Sequence, residues 1–231
     1  MKSKRIKLSS CIIALNEEKN IGKVIKNVKP YVNEVVVIDG GSKDKTVKIA
    51  EKAGAKVYRR KFDGNFGAQR NYAIEKARGE WIFFIDADER ASKELLKSLR
   101  KFIRTKKYDC FGITRKNYIN GKLNLVEYNK LNLFKRYGYY DRPLHEIVRG
   151  VKNIKTIKNP KIYISHYKTS REQKKHNRRY QKILNKLYRK YYRQNEKKKL
   201  NLIKKLKKEE AEHEKFFQES LKTLKKDEEQ K

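Results

Sequence analysis

The sequence lacks any long apolar run and contains only two cysteines. No apolar stretch approaches the roughly 18 residues that a membrane-spanning helix needs, so we expect any membrane contact to be peripheral. Cys11 and Cys110 lie in apolar, strand-like segments, where we expect buried, unpaired thiols as in a reducing compartment. Residues 1–18 show no small-residue cleavage site after their short apolar run, which argues against a signal peptide. The sequence therefore predicts a cytoplasmic location, with the inner face of the cell membrane as the place of any membrane contact.

Acidic residues are scarce relative to basic ones: 27 Asp and Glu face 62 Lys and Arg, for a net charge of +35 over 231 residues. The positive charge is spread through the chain and is only modestly denser after residue 170. Such dispersed charge raises the affinity for any polyanion, including anionic lipid and nucleic acid, but selects none of them. The sequence also lacks the motifs of RNA-recognition, helix-turn-helix and zinc-binding domains. A basic nucleic-acid-binding or scaffold protein is thus an alternative without a supporting motif, and we expect no specific nucleic-acid partner.

In the first hundred residues, strand-like runs alternate with amphipathic helical segments. Apolar residues at i, i+3, i+4 and i+7 indicate the helices, and short β-branched or aromatic runs that end at polar clusters indicate the strands. This alternation is typical of βαβ units, which form parallel sheets with helices on both faces. The predicted strands cover residues 7–15, 34–38, 56–58 and 81–85, and the predicted helices cover residues 21–28, 45–53, 66–78 and 92–103.

Three of these strands end in polar clusters, at Asn16–Glu17, Asp39–Asp44 and Asp86–Glu89. Because ligands of such sheets bind at the carboxyl ends of the strands, we expect the three clusters to share one site. Asp86 and Asp88 are one residue apart, so in an extended chain both carboxylates point the same way and can face one cation or one diphosphate. From these residues alone, the alternative that the two acids merely open a turn before the next helix stays open.

The second half of the chain predicts an antiparallel extension of the sheet. Asn120-Gly121 is a turn dipeptide that joins predicted strands 109–119 and 122–126 in a tight hairpin. We therefore predict an α/β domain with a mixed, mainly parallel sheet over residues 1–170. Shorter strand candidates lie at residues 132–135, 147–151 and 162–166, and a polar cluster of Arg136, Asp141, Arg142, His145 and Glu146 lies between them in a predicted loop.

Residues 171–231 predict a basic, amphipathic helical extension. Apolar and aromatic residues from Tyr180 to Tyr191 follow helical spacing, and a break is predicted near Gln194-Asn195. The stripe of the first helix predicts packing on the first domain or on a second copy of the chain, which would form a homodimer. For residues 196–231, packing and peripheral contact with an anionic membrane both stay open.

Four motifs in the first ninety residues have a distinctive order and spacing: Ala14-Leu15-Asn16-Glu17-Glu18, Asp39-Gly40-Gly41-Ser42-Lys43-Asp44-Lys45-Thr46, Gln69-Arg70-Asn71 and Asp86-Ala87-Asp88-Glu89. Together they resemble the family 2 glycosyltransferases of GT-A fold, whose Rossmann-like sheet binds nucleotide-diphosphate sugars. The likeness extends over residues 7–170. Further motifs resemble the small bacterial and archaeal branch that includes lipopolysaccharide core glucosyltransferases: Phe62-Asp63-Gly64, Leu133-Phe134-Lys135-Arg136, Leu144-His145-Glu146 and His166-Tyr167.

The resemblance implies a nucleotide-diphosphate sugar as donor, with UDP the commonest nucleotide in this branch, and Mg²⁺ or Mn²⁺ as cofactor. It places Asp88 on the metal, and His166 or His145 could complete the metal or diphosphate site. The alternative for His166 is an ordinary surface or core residue. The implied donor contacts are Asn16, Glu17 on the ribose, Asp39 on the base, Arg70 on base or phosphate, and Asp86 near the nucleotide. For Arg70 a solvated helix face is the alternative.

Family 2 enzymes are inverting, which implies direct displacement with a general base that deprotonates the acceptor hydroxyl. Glu146 is the first candidate for this base, Asp141 the second and Glu89 the third. Alternatively, Glu146 is a salt-bridge partner of Arg142 or Arg149. The implied acceptor is a glycolipid or glycan, as in cell-envelope and lipopolysaccharide biosynthesis. Nucleotidyl transfer is disfavoured, because it would require a basic, Gly-rich phosphate loop where this chain has an acidic one.

Overall fold

The computed structural model describes residues 7–194 and 197–229, and it shows the predicted mixed sheet with helices on both faces. The strands are Leu8–Ala14 (β1), Glu34–Asp39 (β2), Lys56–Arg59 (β3), Trp81–Phe84 (β4), Glu89–Ala91 (β5), Cys110–Ile119 (β6), Lys122–Lys135 (β7), Tyr139–Asp141 (β8), Ile147–Arg149 (β9), Ile154–Thr156 (β10) and Tyr163–Lys168 (β11). The helices are Ile21–Val28 (α1), Thr46–Lys52 (α2), Phe66–Lys76 (α3), Lys93–Phe102 (α4), Ser170–Arg193 (α5) and Lys197–Glu229 (α6), and a 3-10 turn covers Lys29–Tyr31.

In the described part of the chain, nine strands form one sheet in the order β3-β2-β1-β4-β7-β6-β11-β5, with β10 beside β6. The first four strands of this order are parallel, and β4 pairs with β7 in the antiparallel sense. β1 and β2 are buried along almost their whole length, as expected of parallel strands covered on both faces. The exits of β2, β1 and β4 therefore lie side by side at one edge of the sheet.

Each face of the sheet has its own apolar core. On one face, α1, α2 and α4 pack on the strands, and the apolar stripe of α1 at Ile21, Val24, Ile25 and Val28 is completely buried. On the other face, α3 packs through Ala73 and Ile74. The cysteines, Cys11 and Cys110, are free and buried, as predicted. Burial raises the pKa of the Cys110 thiol to about 12, so this thiol behaves as a core residue rather than as a nucleophile.

Several strands of the structure were predicted with wrong bounds or were not predicted. Residues 122–126 and 132–135, predicted as two strands, belong to the single strand β7, because the polar stretch between them pairs with β6 across three register shifts. Residues 139–141, predicted as loop, form β8, which pairs with β9. No strand was predicted for residues 89–91, which form β5 and pair with β11, or for residues 154–156, which form β10 and pair with β6. Strand partners hold each of these short or polar segments, and a local sequence pattern does not show such partners.

The predicted hairpin turn between β6 and β7 is present. Asn120 and Gly121 have φ angles of 50° and 81°. Two successive positive φ angles define the tight turn that matches the twist of an antiparallel pair, and Asn-Gly adopts it readily.

The described residues divide into two compact units, one that ends at Tyr167 and one that begins at Lys168, whereas the predicted boundary lies after residue 170. The second unit consists of α5 and α6, and Lys207 Nζ on α6 lies 4.6 Å from the centroid of the Tyr188 ring on α5. Leu184 of the predicted stripe is completely buried. The predicted break falls partly on residue 195, which lies outside the described residues. None of the described helices is long and apolar enough to cross a membrane.

Candidate active site

The Asp86-Ala87-Asp88 segment leaves β4 in a turn, and its two carboxylates contact different partners. Asp86 accepts hydrogen bonds from Arg70 Nη1 at 2.8 Å and Nη2 at 3.2 Å. Asp88 Oδ2 lies 3.1 Å from His166 Nε2. The expectation of an extended Asp86–Asp88 segment was therefore wrong, because residues 87 and 88 form a turn. Asp86 and Asp88 thus lie in or next to a turn, and they also belong to the candidate site.

Arg70 is buried among carboxylates and aromatic rings. Its side chain is only 14% exposed, and its guanidinium carbon lies 4.9 Å from the ring centroid of Phe84 and 5.4 Å from that of Tyr140. Burial alone would lower the pKa of Arg70, but the negative charges of Asp86 and Glu146 outweigh it and raise that pKa well above its usual value. Burial likewise opposes the ionisation of Asp86, yet Arg70 lowers the pKa of Asp86. Arg70 is thus a fixed cation of the site and not part of a solvated helix face.

The residues on either side of Arg70 tie α3 to two further segments. Gln69 Nε2 donates to Arg60 O at 2.9 Å, and Gln69 Oε1 accepts from Arg60 Nη1 at 2.6 Å. Asn71 Nδ2 donates to Tyr140 O at 2.8 Å, and Asn71 Oδ1 accepts from Tyr140 N at 2.7 Å. One turn of α3 therefore fixes the exit of β3, the exit of β4 and strand β8 relative to each other. The sequence motif contained both amides, but their roles were not predicted.

Glu146 is presented by a loop that docks on the start of α3. The first backbone N–H of α3 donates to Pro143 O at 2.8 Å. A Cβ atom built on Gly67 would lie 2.2 Å from Arg142 O, so only glycine fits at this contact. Arg142 and His145 have φ angles of 73° and 49°, a region that costs energy for residues other than glycine. Tertiary packing therefore holds this loop in a conformation that its sequence alone disfavours.

The Glu146 carboxylate faces Arg70 inside the site. Its side chain is 11% exposed, and its Oε1 lies 3.8 Å from Arg70 Nε. Among the described atoms, neither Glu146 Oε1 nor Arg70 Nε has a hydrogen-bond partner, although both are buried. Buried polar atoms normally have one, so this pair indicates a place where a ligand group can bind. The observed ion-pair partner of Glu146 is Arg70, and Arg149 instead lies 3.8 Å from Asp141.

The other two candidates for a general base are less well placed. The Asp141 side chain is 53% exposed on β8 and accepts a hydrogen bond from Arg142 N at 2.9 Å. Glu89 is buried, accepts from Asp86 N at 2.9 Å and pairs with Arg115 Nη1 at 3.2 Å. Burial and the nearby Asp86 charge raise the pKa of Glu89. Glu89 therefore supports the turn from inside the protein.

On the other side of the turn, Asp88 begins a chain of polar contacts. His166 Nε2 faces Asp88, and His166 Nδ1 lies 2.7 Å from Asn117 Oδ1. Asn117 Nδ2 in turn donates to Glu127 Oε2 at 2.8 Å. Burial opposes the ionisation of Glu127, but neighbouring cations lower its pKa to about 2. The family resemblance implied Asp88 and His166 as metal ligands but did not predict that they contact each other. Asn117 and Glu127 lie on long strands without a local signal.

The donor set on this side fits a divalent cation. The carboxylate oxygen of Asp88 is a ligand that both Mg²⁺ and Mn²⁺ accept, whereas the imidazole nitrogen of His166 suits Mn²⁺ better than the harder Mg²⁺. No group of three His, Cys, Asp or Glu side chains among the described residues is arranged to hold a metal ion. A cation bound by Asp88 and His166 would thus need further ligands from water and from a substrate diphosphate, as is usual for Mg²⁺ sites.

The exits of β1 and β2 are hydrogen-bonded to each other. Asn16, with a φ angle of 59°, donates through its backbone N–H to Ser42 Oγ at 2.9 Å, and its Oδ1 accepts from Lys43 N at 2.8 Å. Asp39 is 2% exposed and accepts from Gly41 N at 3.0 Å and from Ser42 N at 3.1 Å. The two exits thus form one wall beside the exit of β4, built largely from backbone donors.

Glu17 belongs to the same wall. Its backbone N–H donates to Thr46 Oγ1 at 2.7 Å, and its Oε2 accepts from Asn20 Nδ2 at 2.9 Å. The structure thus brings Asn16, Glu17 and Asp39 to one edge of the sheet with the Asp86 turn. Their contacts with a nucleotide stay predictions.

Known proteins share parts of this sequence and fold. The model of the family described as glycosyl transferase family 2 matches residues 9–154. A TPR repeat-containing protein of Synechococcus elongatus is 35% identical over 144 residues, which cover 61% of this chain and 35% of the relative. An uncharacterized glycosyltransferase of Rickettsia bellii is 41% identical over 105 residues, which cover 46% of this chain and 35% of the relative. This chain thus spans about a third of the length of these curated relatives.

A solved structure has the same fold. Residues 1–349 of S. aureus TarS, in complex with UDP-GlcNAc, superpose with a TM-score of 0.58 at 24% sequence identity, covering 71% of this chain and 59% of that chain. The mixed sheet and its helices are therefore those of the GT-A fold. Since the family model covers more than half of the sequence, from residue 9 to residue 154, this chain belongs to glycosyl transferase family 2.

Proposed function

We propose that this protein transfers a sugar, with inversion, from a UDP-sugar to a hydroxyl group of a glycan or glycolipid acceptor, assisted by Mg²⁺ or Mn²⁺. The proposal rests on the contacts of the two acids that follow β4. Asp86 is bound to Arg70, and Asp88 faces His166. We choose UDP because the TarS structure of similar fold holds UDP-GlcNAc. Family membership favours this function over the nucleic-acid-binding or scaffold alternative.

On the donor side, Asp88 and His166 would hold the divalent cation against the diphosphate. A cation bound there stabilises the negative charge of the departing nucleoside diphosphate. Asn16, Glu17 and Asp39 would line the nucleotide from the neighbouring strand exits, with Asp86 and Arg70 beneath it. Arg70 is already paired, so its contribution is to keep Asp86 ionised and fixed rather than to move toward the donor.

On the acceptor side, Glu146 would act as general base. Its carboxylate takes the proton of the acceptor hydroxyl while the hydroxyl oxygen bonds to the anomeric carbon. The bond from that carbon to the diphosphate oxygen breaks, and its electron pair leaves with the diphosphate. The buried Oε1 atom beside Arg70 supports this role, because it lacks a hydrogen-bond partner among the described atoms.

The experiment is a panel of UDP- and GDP-sugars scored for donor hydrolysis with and without Mn²⁺. We expect hydrolysis of a UDP-sugar that depends on Mn²⁺ and falls about 100-fold or more in Asp88→Asn. Glu75→Gln, an exposed carboxylate on α3, is the matched control and should retain wild-type hydrolysis. Metal-dependent hydrolysis that persists unchanged in Asp88→Asn would contradict the role of Asp88.

Contact with an anionic membrane would bring the enzyme to a lipid-linked acceptor, and we propose that α6 provides it. Lys204 and Lys205 are exposed on this helix, and exposed lysines attract anionic lipid. Full-length protein should float with phosphatidylserine vesicles but not with neutral vesicles. Substituting both lysines by Glu should reduce this binding, whereas the same change at exposed Lys23 and Lys26 of α1 should not. Equal effects of the two pairs would contradict a specific role for α6.

A further inference from the structure

The hydrogen bonds of Asn117 have a defined direction. The low pKa of Glu127 keeps its carboxylate ionised, so this group can only accept hydrogen bonds. Asn117 must therefore turn its amide nitrogen toward Glu127 Oε2, and the same nitrogen also donates to Leu125 O at 3.3 Å. Two acceptors on the nitrogen leave Asn117 Oδ1 on the opposite side, facing His166.

The orientation of the Asn117 side-chain amide determines which ring nitrogen of His166 carries the proton. Asn117 Oδ1 accepts only, and it lies 2.7 Å from His166 Nδ1, so Nδ1 must be the donor. In a neutral imidazole the other nitrogen, Nε2, then has a lone pair. That lone pair points at Asp88 Oδ2, another acceptor, at 3.1 Å. Two acceptors at this distance need a cation or a proton between them.

We propose that Asn117 is a positioning residue that keeps a proton on His166 Nδ1, so that Nε2 and Asp88 together face a divalent cation. The proposal rests on the metal-assisted function proposed above. Histidine ligands of metals usually donate their second ring N–H to an acceptor that fixes the ring and its tautomer. Here the acceptor is an amide, and the direction of that amide is imposed by the Glu127 carboxylate and by Leu125 O.

Without Asn117, the opposite tautomer is favoured. A proton on Nε2 would form a hydrogen bond with Asp88 and occupy the lone-pair direction of both ligands. Binding a cation would then require moving that proton to Nδ1, which would have lost its acceptor. The affinity for metal should therefore fall even though Asp88 and His166 are both retained.

The test combines a spectroscopic readout with a binding readout on the full chain. The ¹⁵N chemical shifts of the His166 ring in the metal-free protein report which nitrogen carries the proton. Electron paramagnetic resonance of free Mn²⁺ with added UDP gives the metal affinity. We expect Nδ1 to be protonated in the wild type, and we expect Asn117→Leu to move the proton toward Nε2 and weaken Mn²⁺ binding about 10- to 100-fold.

Two further variants separate this role from a general effect on the fold. Asn124→Leu makes the same change at a half-buried position of β7 and should leave both readouts unchanged. The double variant Asn117→Asp with Glu127→Gln exchanges amide and carboxylate but keeps an acceptor opposite His166 Nδ1. It should restore the wild-type tautomer and most of the Mn²⁺ affinity.

The outcomes distinguish this inference from the proposed function. Protonation of Nε2 in the wild type, or equal Mn²⁺ affinity in Asn117→Leu and wild type, would overturn the role of Asn117 and leave a metal-dependent transferase intact. A wild-type protein that hydrolyses a UDP-sugar but does not bind Mn²⁺ would overturn the metal itself. Failure of the folded double variant to recover the tautomer and the Mn²⁺ affinity would also overturn the inference, because it would show that an acceptor at this position is not sufficient.

Discussion

Asp86 and Asp88 are one residue apart, yet the structure places them in opposite environments. Asp86 is bound through both oxygens to Arg70, a buried cation whose charge does not depend on conditions. Asp88 faces His166, which carries a positive charge only when it is protonated. The charge of Asp86 is thus balanced within the protein, whereas the Asp88 side can be balanced by a bound cation. The two acids of the Asp86-Ala87-Asp88 segment therefore have different partners in this structure, and we expect them to have different roles.

The two sides are also supported differently. The Asp86 side is supported by α3 and by the strained loop that ends at Glu146, and these two segments are held together by close backbone packing. The Asp88 side is supported by hydrogen bonds between side chains of β6, β7 and β11. Substitutions on the Asp86 side should therefore affect both stability and chemistry, while substitutions on the Asp88 side should affect metal binding first.

The largest expected effect is on the chemical step and comes from Glu146→Gln. Removing a general base lowers kcat by about 10²- to 10⁴-fold, and we expect a loss in this range for transfer to an acceptor hydroxyl. Asp141→Asn is the matched comparison, because its carboxylate is on the same segment but faces solvent, and it should retain nearly full activity. Steady-state kinetics with the identified donor and acceptor would decide, and the reverse pattern would transfer the role of base to Asp141.

The next effect is on stability and separates Arg70 from Asp88. Arg70→Met leaves Asp86 buried without its partner, and we expect a loss of about 3–5 kcal/mol in the free energy of unfolding. Asp88→Asn removes a carboxylate without stranding a buried charge, so its effect should stay within about 1 kcal/mol. Urea unfolding followed by the fluorescence of Trp81 is the measurement, because this is the sole tryptophan and lies in β4.

Comparable losses in Arg70→Met and Asp88→Asn would contradict the difference between the two sides. Such a result would show that Asp88 is as strongly held by the protein as Asp86 is. Repeating the Asp88→Asn measurement with Mn²⁺ and UDP would refine the comparison. Ligand stabilisation should be present in the wild type and reduced in the variant, since only the folded protein binds the complex.

The fold was largely predictable because its first half is built from locally specified elements. α1 and α4 carry full apolar stripes, and the strands between them end at polar clusters that a local pattern reveals. β5 and β8 were not predictable, since three-residue strands form only where a partner strand already lies. β7 appeared as two strands because its middle is polar, and that polarity serves contacts such as Arg115 with Glu127.

The candidate site was predictable where a residue type carries the chemistry. Asp86 and Asp88 were predicted from their position after a buried strand, and Arg70 and His166 from the resemblance to a family. The structure brings the four residues together as two contacting pairs. Asn117 could not be predicted, because an asparagine inside a strand reads as an ordinary exposed polar residue. Its role depends on the orientation of an amide, which is set by Glu127 ten residues further along the chain.

A pH-dependent effect should appear at Glu127, at the far end of the Asp88 side. Its pKa lies at about 2 in the folded protein, below the ordinary 4.5, so it stabilises the fold above pH 4.5, and this contribution is lost as the pH falls toward 2. A shift of this size corresponds to roughly 3 kcal/mol. Glu127→Gln should therefore lower the unfolding free energy at pH 7 by up to that amount and flatten its decline between pH 4.5 and 2. Glu75→Gln, at an exposed position, should do neither.

A moderate loss of stability is expected from Gly67→Ala, a substitution that tests how the loop before Glu146 packs on α3. The added Cβ atom would meet Arg142 O at 2.2 Å, and a backbone atom cannot give way as a side chain does. We expect the loop to move, at a cost of about 1–3 kcal/mol. Glu146 would move with it, and a displacement of about 1 Å can lower kcat by roughly 100-fold. Gly22→Ala is the matched control, since its Cβ would meet only Ile49 Cγ2, at 3.0 Å. If both variants lose the same amount of stability and keep their activity, the docking of the loop on α3 does not position Glu146. If only Gly67→Ala loses activity and its Mn²⁺ binding through Asp88 is unchanged, the Asp86 side and the Asp88 side of the site are structurally independent.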